Sequence, residues 1–230
     1  MGRTLVFDVD GTLTLSRQVI DAQFCEYLIE LSSLHSIILV TGSDRSKTLE
    51  QVGELYYYCD AVYQCAGNQK WIGDELIYQN EWTLPQAERD WLMSEVELSN
   101  FEHKTDIHIE DRPGMVNFTI LGRAANKEQR AKYVEWDKLT NERRTIAKRF
   151  REFSGLECSI GGETGIDIYP KGMNKSQILN DEDYFTEPFI FFGDDGKIGG
   201  NDYELAIKSP LFCAVSDWKN TENLLKNMCK

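Results

Sequence analysis

The stretch at residues 4–14, TLVFDVDGTLT, constrains this chain more than any other. Thr4–Phe7 reads as a short buried strand, and two carboxylates follow it two residues apart. Residues i and i+2 of an extended segment project to the same side, so Asp8 and Asp10 aim at one spot where the chain opens into a loop at Gly11. Two clustered carboxylates repel, and a shared proton, a cation or both must offset that repulsion. Without His or Cys partners in the cluster, a hard divalent cation such as Mg²⁺ fits best. One aspartate of such a pair can attack a phosphoryl group while the other handles protons. Asp-Gly is also ordinary turn chemistry, and the stretch alone leaves both readings open.

The pattern that follows predicts a parallel α/β sheet. Ile20, Phe24, Leu28 and Leu31 form one apolar helical stripe. Ser36–Val40 reads as a second buried strand ending in Thr41-Gly42-Ser43-Asp44, and a polar helix follows over about 46–55. A third strand lies at 61–65, and 71–78 reads as a hairpin turning at Gly73-Asp74. The order then changes. A helix is expected over 85–98, half-buried strands over 107–110 and 115–120 around a turn at 111–114, charged helices over about 127–138 and 141–153, and strands over 157–160 and 165–169. This block reads as an inserted α+β unit with an antiparallel sheet. The α/β pattern resumes with a helix from Lys175 to near Asn180 and a strand over 188–192 that runs into Gly193-Asp194-Asp195-Gly196. Gly199-Gly200-Asn201-Asp202 opens the next helix, before a strand at 212–215 and a C-terminal helix to about Asn227. The expected organisation is a core of residues 1–81 and 171–230 with a cap of residues 82–170, joined by linkers near 80–83 and 169–172.

The formal net charge of −13 over 230 residues argues against nucleic acid or an anionic membrane as the main partner. No apolar run approaches the length of a membrane span. The six cysteines, at 25, 59, 65, 158, 213 and 229, form no CxxC pair. They read as reduced thiols of a cytoplasmic protein, as does a start that runs straight into a strand without a leader.

Four strand ends or helix starts carry polar groups of one chemical purpose: Asp8 and Asp10, Thr41 and Ser43, Lys175, and Asp194, Asn201 and Asp202. In an open parallel sheet the carboxyl ends of the strands share one edge, and sites form there. Carboxylates hold a cation, while a lysine and hydroxyl donors neutralise phosphate oxygens, which is the equipment of phosphoryl transfer. Taken singly, Ser43 is a helix cap, Lys175 a solvated lysine and Gly-Asp-Asp a turn.

The set resembles the haloacid dehalogenase superfamily of aspartyl phosphotransferases: FDVDGTLT, TGSD, Lys175 in KGMNK and FFGDDGKIGGND are similar to its four motifs in order. The resemblance implies a Rossmann-like parallel-sheet core with an inserted α+β cap. It also implies Asp8 as the nucleophile that becomes an aspartyl phosphate, Asp10 as general acid/base, and Mg²⁺ held by the Asp8 carboxylate, the Asp10 carbonyl and Asp194. Over nearly the whole chain the sequence is similar to the eukaryotic-type α-phosphomannomutases, through Arg17-Gln18, the cap segment RPGMVNFTILGR from Arg112 to Arg123, Arg130, the stretch from Gly161 to Lys175, and FFGDDGKIGGND. That family implies a substrate site of Arg17, Ser43, Arg112, Asn117, Arg123, Arg130, Asp167 and Lys175, with Arg112, Arg123 and Arg130 on the distal phosphate and Asp167 on sugar hydroxyls. It further implies small sugar-phosphate substrates, hexose 1,6-bisphosphate as activator, a homodimer through the cap, and a cap that closes over the substrate.

A lone arginine is more often a salt-bridge partner, but three on one hairpin and the next helix suit a phosphate, since guanidinium binds it bidentately. A mutase needs such a second phosphate site. The chain departs from the family at Pro113 (for Asn), Gly165 (for a phosphate-contacting Ser), Thr41 (for Gly), and Ala206-Ile207-Lys208, which stands in place of a further metal-binding loop. A sugar-phosphate phosphatase of the same superfamily is therefore the alternative to the mutase. A catalytically silent binding protein is the third reading, opposed by the intact Asp8, Asp10, Lys175 and Asp194.

Overall fold

The computed structural model describes residues 2–228. The chain forms two compact units, Met1–Asn80 with Met173–Lys230, and Glu81–Gly172. In chain order the elements are β1 (Thr4–Phe7), α1 (Ala22–Ser32), β2 (Ser36–Val40), α2 (Arg45–Val52), β3 (Ala61–Gln64), β4 (Gln69–Ile72), β5 (Glu75–Gln79), α3 (Gln86–Leu98), β6 (Ile109–Arg112), β7 (Met115–Phe118), α4 (Lys127–Thr140), α5 (Glu142–Ser154), β8 (Glu157–Gly161), β9 (Gly165–Tyr169), α6 (Glu182–Phe185), β10 (Phe189–Gly193), α7 (Tyr203–Lys208), β11 (Leu211–Ala214) and α8 (Trp218–Met228). Short 3₁₀ segments lie at Gly53–Tyr58, Cys65–Gly67 and Lys175–Asn180.

The first unit is built on a seven-stranded sheet of order β11-β10-β1-β2-β3-β4-β5. Its five leading strands are parallel, and the β4–β5 hairpin extends the sheet antiparallel. Strand residues alternate between two cores. Leu5, Phe7, Ile37, Leu39, Ile190 and Phe192 pack with Phe24, Leu28 and Leu31 of α1 and Leu225 of α8. Val6, Ile38, Val40, Phe189 and Phe191 pack on the other face with Ile178 and with Leu205 and Ala206 of α7. A sheet buried on both faces explains why its strands read as continuous apolar runs.

The second unit is an antiparallel sheet of order β6-β7-β9-β8. Val116, Phe118, Ile166, Ile168, Cys158 and Ile160 on one face meet Leu92 and Val96 of α3, Tyr133 of α4, and Ile146 and Phe150 of α5. The other face carries Glu110, Asn117, Asp167 and Ser159 beside Met115 and Tyr169.

Several boundaries differ from the sequence reading. The helix expected from Lys175 is a 3₁₀ segment, opened by Asn174, whose side chain accepts from the Ser176 amide. The expected helix over 46–55 stops at Val52, because Gly53 adopts a positive φ of 54°. The turn expected at 111–114 shrinks to Pro113-Gly114, since the β6–β7 ladder runs on to an Arg112–Met115 pair. Among the described residues Cys25, Cys59, Cys65, Cys158 and Cys213 form no disulfide, while Cys229 lies outside them. Among those residues no helix is long and apolar enough to cross a membrane.

Candidate active site

The parallel sheet brings three of the sequence motifs to one edge. β1 ends in Asp8, whose amide donates to Phe192 O of β10 (3.0 Å); β10 ends in Gly193-Asp194, and β2 in Thr41. Lys175 is buried among them at 1% exposure, with Nζ donating to Asp8 Oδ1 at 2.5 Å and to Asp202 Oδ1 at 2.7 Å. Asp202 also accepts the Asp195 amide on Oδ2 (3.2 Å), so one carboxylate ties the lysine to the loop that carries Asp194. Oxygens of Asp8, Asp194 and Asp202 lie within 4.8 Å of one another. Two glycines permit this packing. A Cβ on Gly11, whose φ is +82°, would sit 2.3 Å from Asp194 Oδ2, and one on Gly193 would sit 2.5 Å from Asp202 Oδ2.

Asp10 belongs to a neighbouring polar group. Its Oδ1 accepts from the Arg17 amide and Gln51 Nε2 (both 3.0 Å), and its Oδ2 from Lys47 Nζ (3.1 Å) and Ser43 Oγ (3.4 Å). Lys47 also donates to Ser43 Oγ at 2.9 Å. Sequence reasoning missed Lys47 and Gln51. The available signal was spacing: Ser43, Lys47 and Gln51 recur every four residues, along one face of α2 and the residue before its Asp44 cap. Thr41 starts the loop that carries Ser43. Its Oγ1 accepts the Ser43 amide (3.1 Å) and shapes the loop. Arg17 contributes its backbone amide to Asp10, and its side chain is exposed. Asn201 sits half-buried on the turn before Asp202, and among the described residues no hydrogen bond links it to the Asp8–Lys175 cluster.

The electrostatics of the two groups differ. Burial pushes the Asp8 carboxyl well above the usual carboxylate range; Lys175 opposes this, while Asp202 and Asp194 add to it. Loss of hydration and the Asp202 charge raise Asp194, at the outer rim of the cluster, to about 6. Burial alone would depress Lys175, but Asp202 and Asp8 outweigh it and hold the ammonium protonated. Three carboxylates therefore face one ammonium, an excess of negative charge that a further cation would relieve. The donors are all hard oxygens, and the set fits Mg²⁺. Burial would likewise raise Asp10, yet Lys47, the Arg17 amide and Gln51 bring it below its ordinary value and keep it ionised.

The second unit carries its own constellation on the face of its sheet opposite its core. Register places Glu110, Asn117, Asp167 and Ser159 in one row across β6, β7, β9 and β8. Asn117 Nδ2 donates to Asp167 Oδ1 (2.7 Å), and Arg123 NH1 donates to Asn117 Oδ1 (3.1 Å). Glu110 Oε2 accepts from Nε (2.8 Å) and NH2 of Arg112 and from NH2 of Arg123 (2.9 Å). Arg130, largely buried on α4, donates to Thr164 Oγ1 (3.3 Å) and Glu163 Oε2 (3.0 Å). The guanidinium groups are close enough to affect one another: burial first, and the Arg112 charge next, lower the Arg123 pKa. The structure thus assembles Arg112, Asn117, Arg123 and Asp167 as one group, with Arg130 beside it. Glu110 was not singled out by the sequence, although it precedes Arg112 by two residues and so shares its face.

The comparisons agree with this picture. A model of the eukaryotic phosphomannomutase family matches residues 24–230. A probable phosphomannomutase of Caenorhabditis elegans is 33% identical over 263 aligned positions, covering 97% of this chain and 96% of that protein. Phosphomannomutase 1 of Mus musculus is 35% identical over 214 positions, covering 87% of this chain and 81% of that protein. Among solved structures, a haloacid dehalogenase-like hydrolase from Bacteroides thetaiotaomicron superposes with a TM-score of 0.59 at 12% identity, over 99% of this chain and 100% of that one. At that identity the likeness shows the fold, an α/β core of the haloacid dehalogenase type with an α+β insertion.

Proposed function

Since the chain belongs to the eukaryotic phosphomannomutase family, we propose that it is an isomerase that interconverts mannose 6-phosphate and mannose 1-phosphate through an aspartyl phosphate and a hexose 1,6-bisphosphate. The observation that carries this reading is the presence of two phosphate-suited groups. The Asp8–Lys175 cluster suits the reacting phosphoryl group, and the Arg112–Arg123–Arg130 group suits a phosphate that does not react. A hydrolase for small monophosphates needs only the first, whereas a bisphosphate intermediate requires both.

In this reading Asp8 attacks the phosphoryl group, and Lys175 fixes the Asp8 carboxylate and offsets charge on the phosphoryl oxygens. Asp10, held ionised by Lys47 and Gln51, takes the proton of the sugar hydroxyl that attacks the phosphoaspartate. It returns that proton when a sugar oxygen leaves in the opposite half-reaction. Asp8, Asp194 and the Asp10 carbonyl, with Asp202 adjoining, would hold Mg²⁺, which when bound supplies further charge neutralisation. Asn117 and Asp167 orient sugar hydroxyls. The reading also expects hexose 1,6-bisphosphate as activator, a cytoplasmic setting and a second copy of the chain as partner through the cap.

One observation favours the phosphatase alternative: Gly165 offers no donor, and a Cβ there would lie 2.5 Å from Asn117 Nδ2. The test is Arg123→Ala. Charge-assisted hydrogen bonds are worth about 1.5–3 kcal/mol each, so mutase turnover should fall roughly ten- to a hundredfold. Hydrolysis of acetyl phosphate, which needs only the Asp8 cluster, should stay close to wild type. Equal loss of both activities would make Arg123 structural and remove the support for a second phosphate site.

A further inference from the structure

The three arginines offered to a distal phosphate already have anionic partners. Glu110 engages Arg112 along its Nε–NH2 edge and also takes NH2 of Arg123. The second terminal nitrogen of Arg123 donates to Asn117, and both terminal nitrogens of Arg130 donate to Thr164 and Glu163. Asp167 Oδ1 lies 4.0 Å from Arg112 NH1. Three guanidinium groups thus face three carboxylates, Glu110, Glu163 and Asp167, and the group as built is close to neutral. Of the three, Glu110 stands apart. It alone spans two of the arginines, and it is placed there by strand register, directly across from Asn117. It is also partly open, with 29% of its side chain exposed, while Arg112 and Arg123 are at 7% and 19%.

We propose that Glu110 is an internal competitor for the phosphate-binding guanidinium groups of Arg112 and Arg123. Its carboxylate holds the edge of Arg112 that suits an oxyanion, and an arriving phosphate displaces it. The inference rests on the mutase reading of this group. It gives that reading a physical consequence. A bisphosphate that must be released and rebound with its two phosphates exchanged cannot be gripped by three uncompensated arginines. A carboxylate that returns to the vacated guanidinium groups speeds each release, because it stabilises the empty site. Glu110 is on this account a positioning residue that sets how tightly the non-reacting phosphate is held.

The experiment titrates glucose 1,6-bisphosphate into the full chain with Mg²⁺ by calorimetry, comparing wild type with Glu110→Gln, Glu110→Ala and Arg123→Ala. Removing one like charge beside a phosphate should tighten binding roughly five- to a hundredfold in both Glu110 variants. Steady-state kinetics should show a lower KM with a lower kcat, as release slows, whereas loss of a merely structural residue would raise KM. Unchanged or weaker binding in both Glu110 variants, with Arg123→Ala still weakened, overturns the competitor role and leaves the phosphate site standing. Wild-type binding in Arg123→Ala overturns the reading of the arginine group itself. Should neither Glu110 variant fold alone, recovery of folded protein when bisphosphate is added supports the proposal, because the phosphate then supplies the missing anion, and failure to recover overturns it.

Discussion

Lys175→Met is the perturbation whose cost can be worked most fully from the structure. The ammonium lies 2.5 Å from Asp8 and 2.7 Å from Asp202, whose side chains are 3% and 0% exposed, so water cannot replace it. Methionine keeps the length of the side chain but leaves two buried carboxylates, with Asp194 nearby, facing one another. Removing one partner of a buried ion pair costs about 3–5 kcal/mol, and a single pair at ~4 Å and an effective dielectric of ~20 gives a similar figure of about 4 kcal/mol. The penalty depends on pH. The Asp8 carboxyl is already raised in the folded protein, and loss of Lys175 raises it further. A carboxyl raised on folding favours the fold below its unfolded pKa of about 4, and that benefit is lost as pH rises through the folded value. The variant's deficit in denaturant midpoint should therefore be smallest at about pH 4 and larger at pH 7.5 in a chelator. Millimolar Mg²⁺ should recover part of the deficit, since a cation that binds only the fold stabilises it. Denaturant titrations at the two pH values, with and without Mg²⁺, measure this. Equal midpoints for wild type and variant at pH 7.5 in chelator would show that the cluster is not under-compensated.

Two further outcomes follow from the same geometry. Asp10→Ala should lower turnover by roughly 10²–10⁴-fold, as for other positioned acid–base groups, while Mg²⁺ binding measured by calorimetry stays near wild type; loss of metal binding with the rate retained would reverse the assigned roles. Gly165→Ser should destabilise the second unit by about 1–3 kcal/mol, because the new Cβ would sit 2.5 Å from Asn117 Nδ2 and push on the Asn117–Asp167 pair; an unchanged thermal midpoint would mean that the pair yields freely.

Much of the core was legible in the sequence because its strands are buried on both faces. Runs such as Ile37–Val40 and Phe189–Phe192 are apolar throughout, and each ends abruptly in the polar residues that make the site. Parallel order then places Asp8, Thr41 and Asp194 on one edge without further information. The side chains that hold Asp10 were harder to read. Lys47 and Gln51 lie on a short polar helix, and only their shared face with Ser43 marks them. Glu110 was hidden for a different reason. Asp-Arg-Pro-Gly has the composition of a turn, yet cross-strand bonds carry the ladder through Arg112 and leave only Pro113-Gly114 outside it. That shift of two residues keeps Arg112 in the same strand and on the same face as Glu110. Asp202 read as a core-site residue of the fourth motif; only tertiary packing shows that it grips Lys175.

The central claim is that the Asp8 cluster passes its phosphoryl group to a sugar hydroxyl rather than to water. The most direct measurement supplies mannose 1-phosphate with Mg²⁺, with and without a trace of hexose 1,6-bisphosphate, and follows mannose 6-phosphate and free phosphate together. A mutase forms mannose 6-phosphate, faster with the bisphosphate, and releases little phosphate. Free phosphate accumulating faster than mannose 6-phosphate under both conditions would contradict the account and identify the chain as a hydrolase.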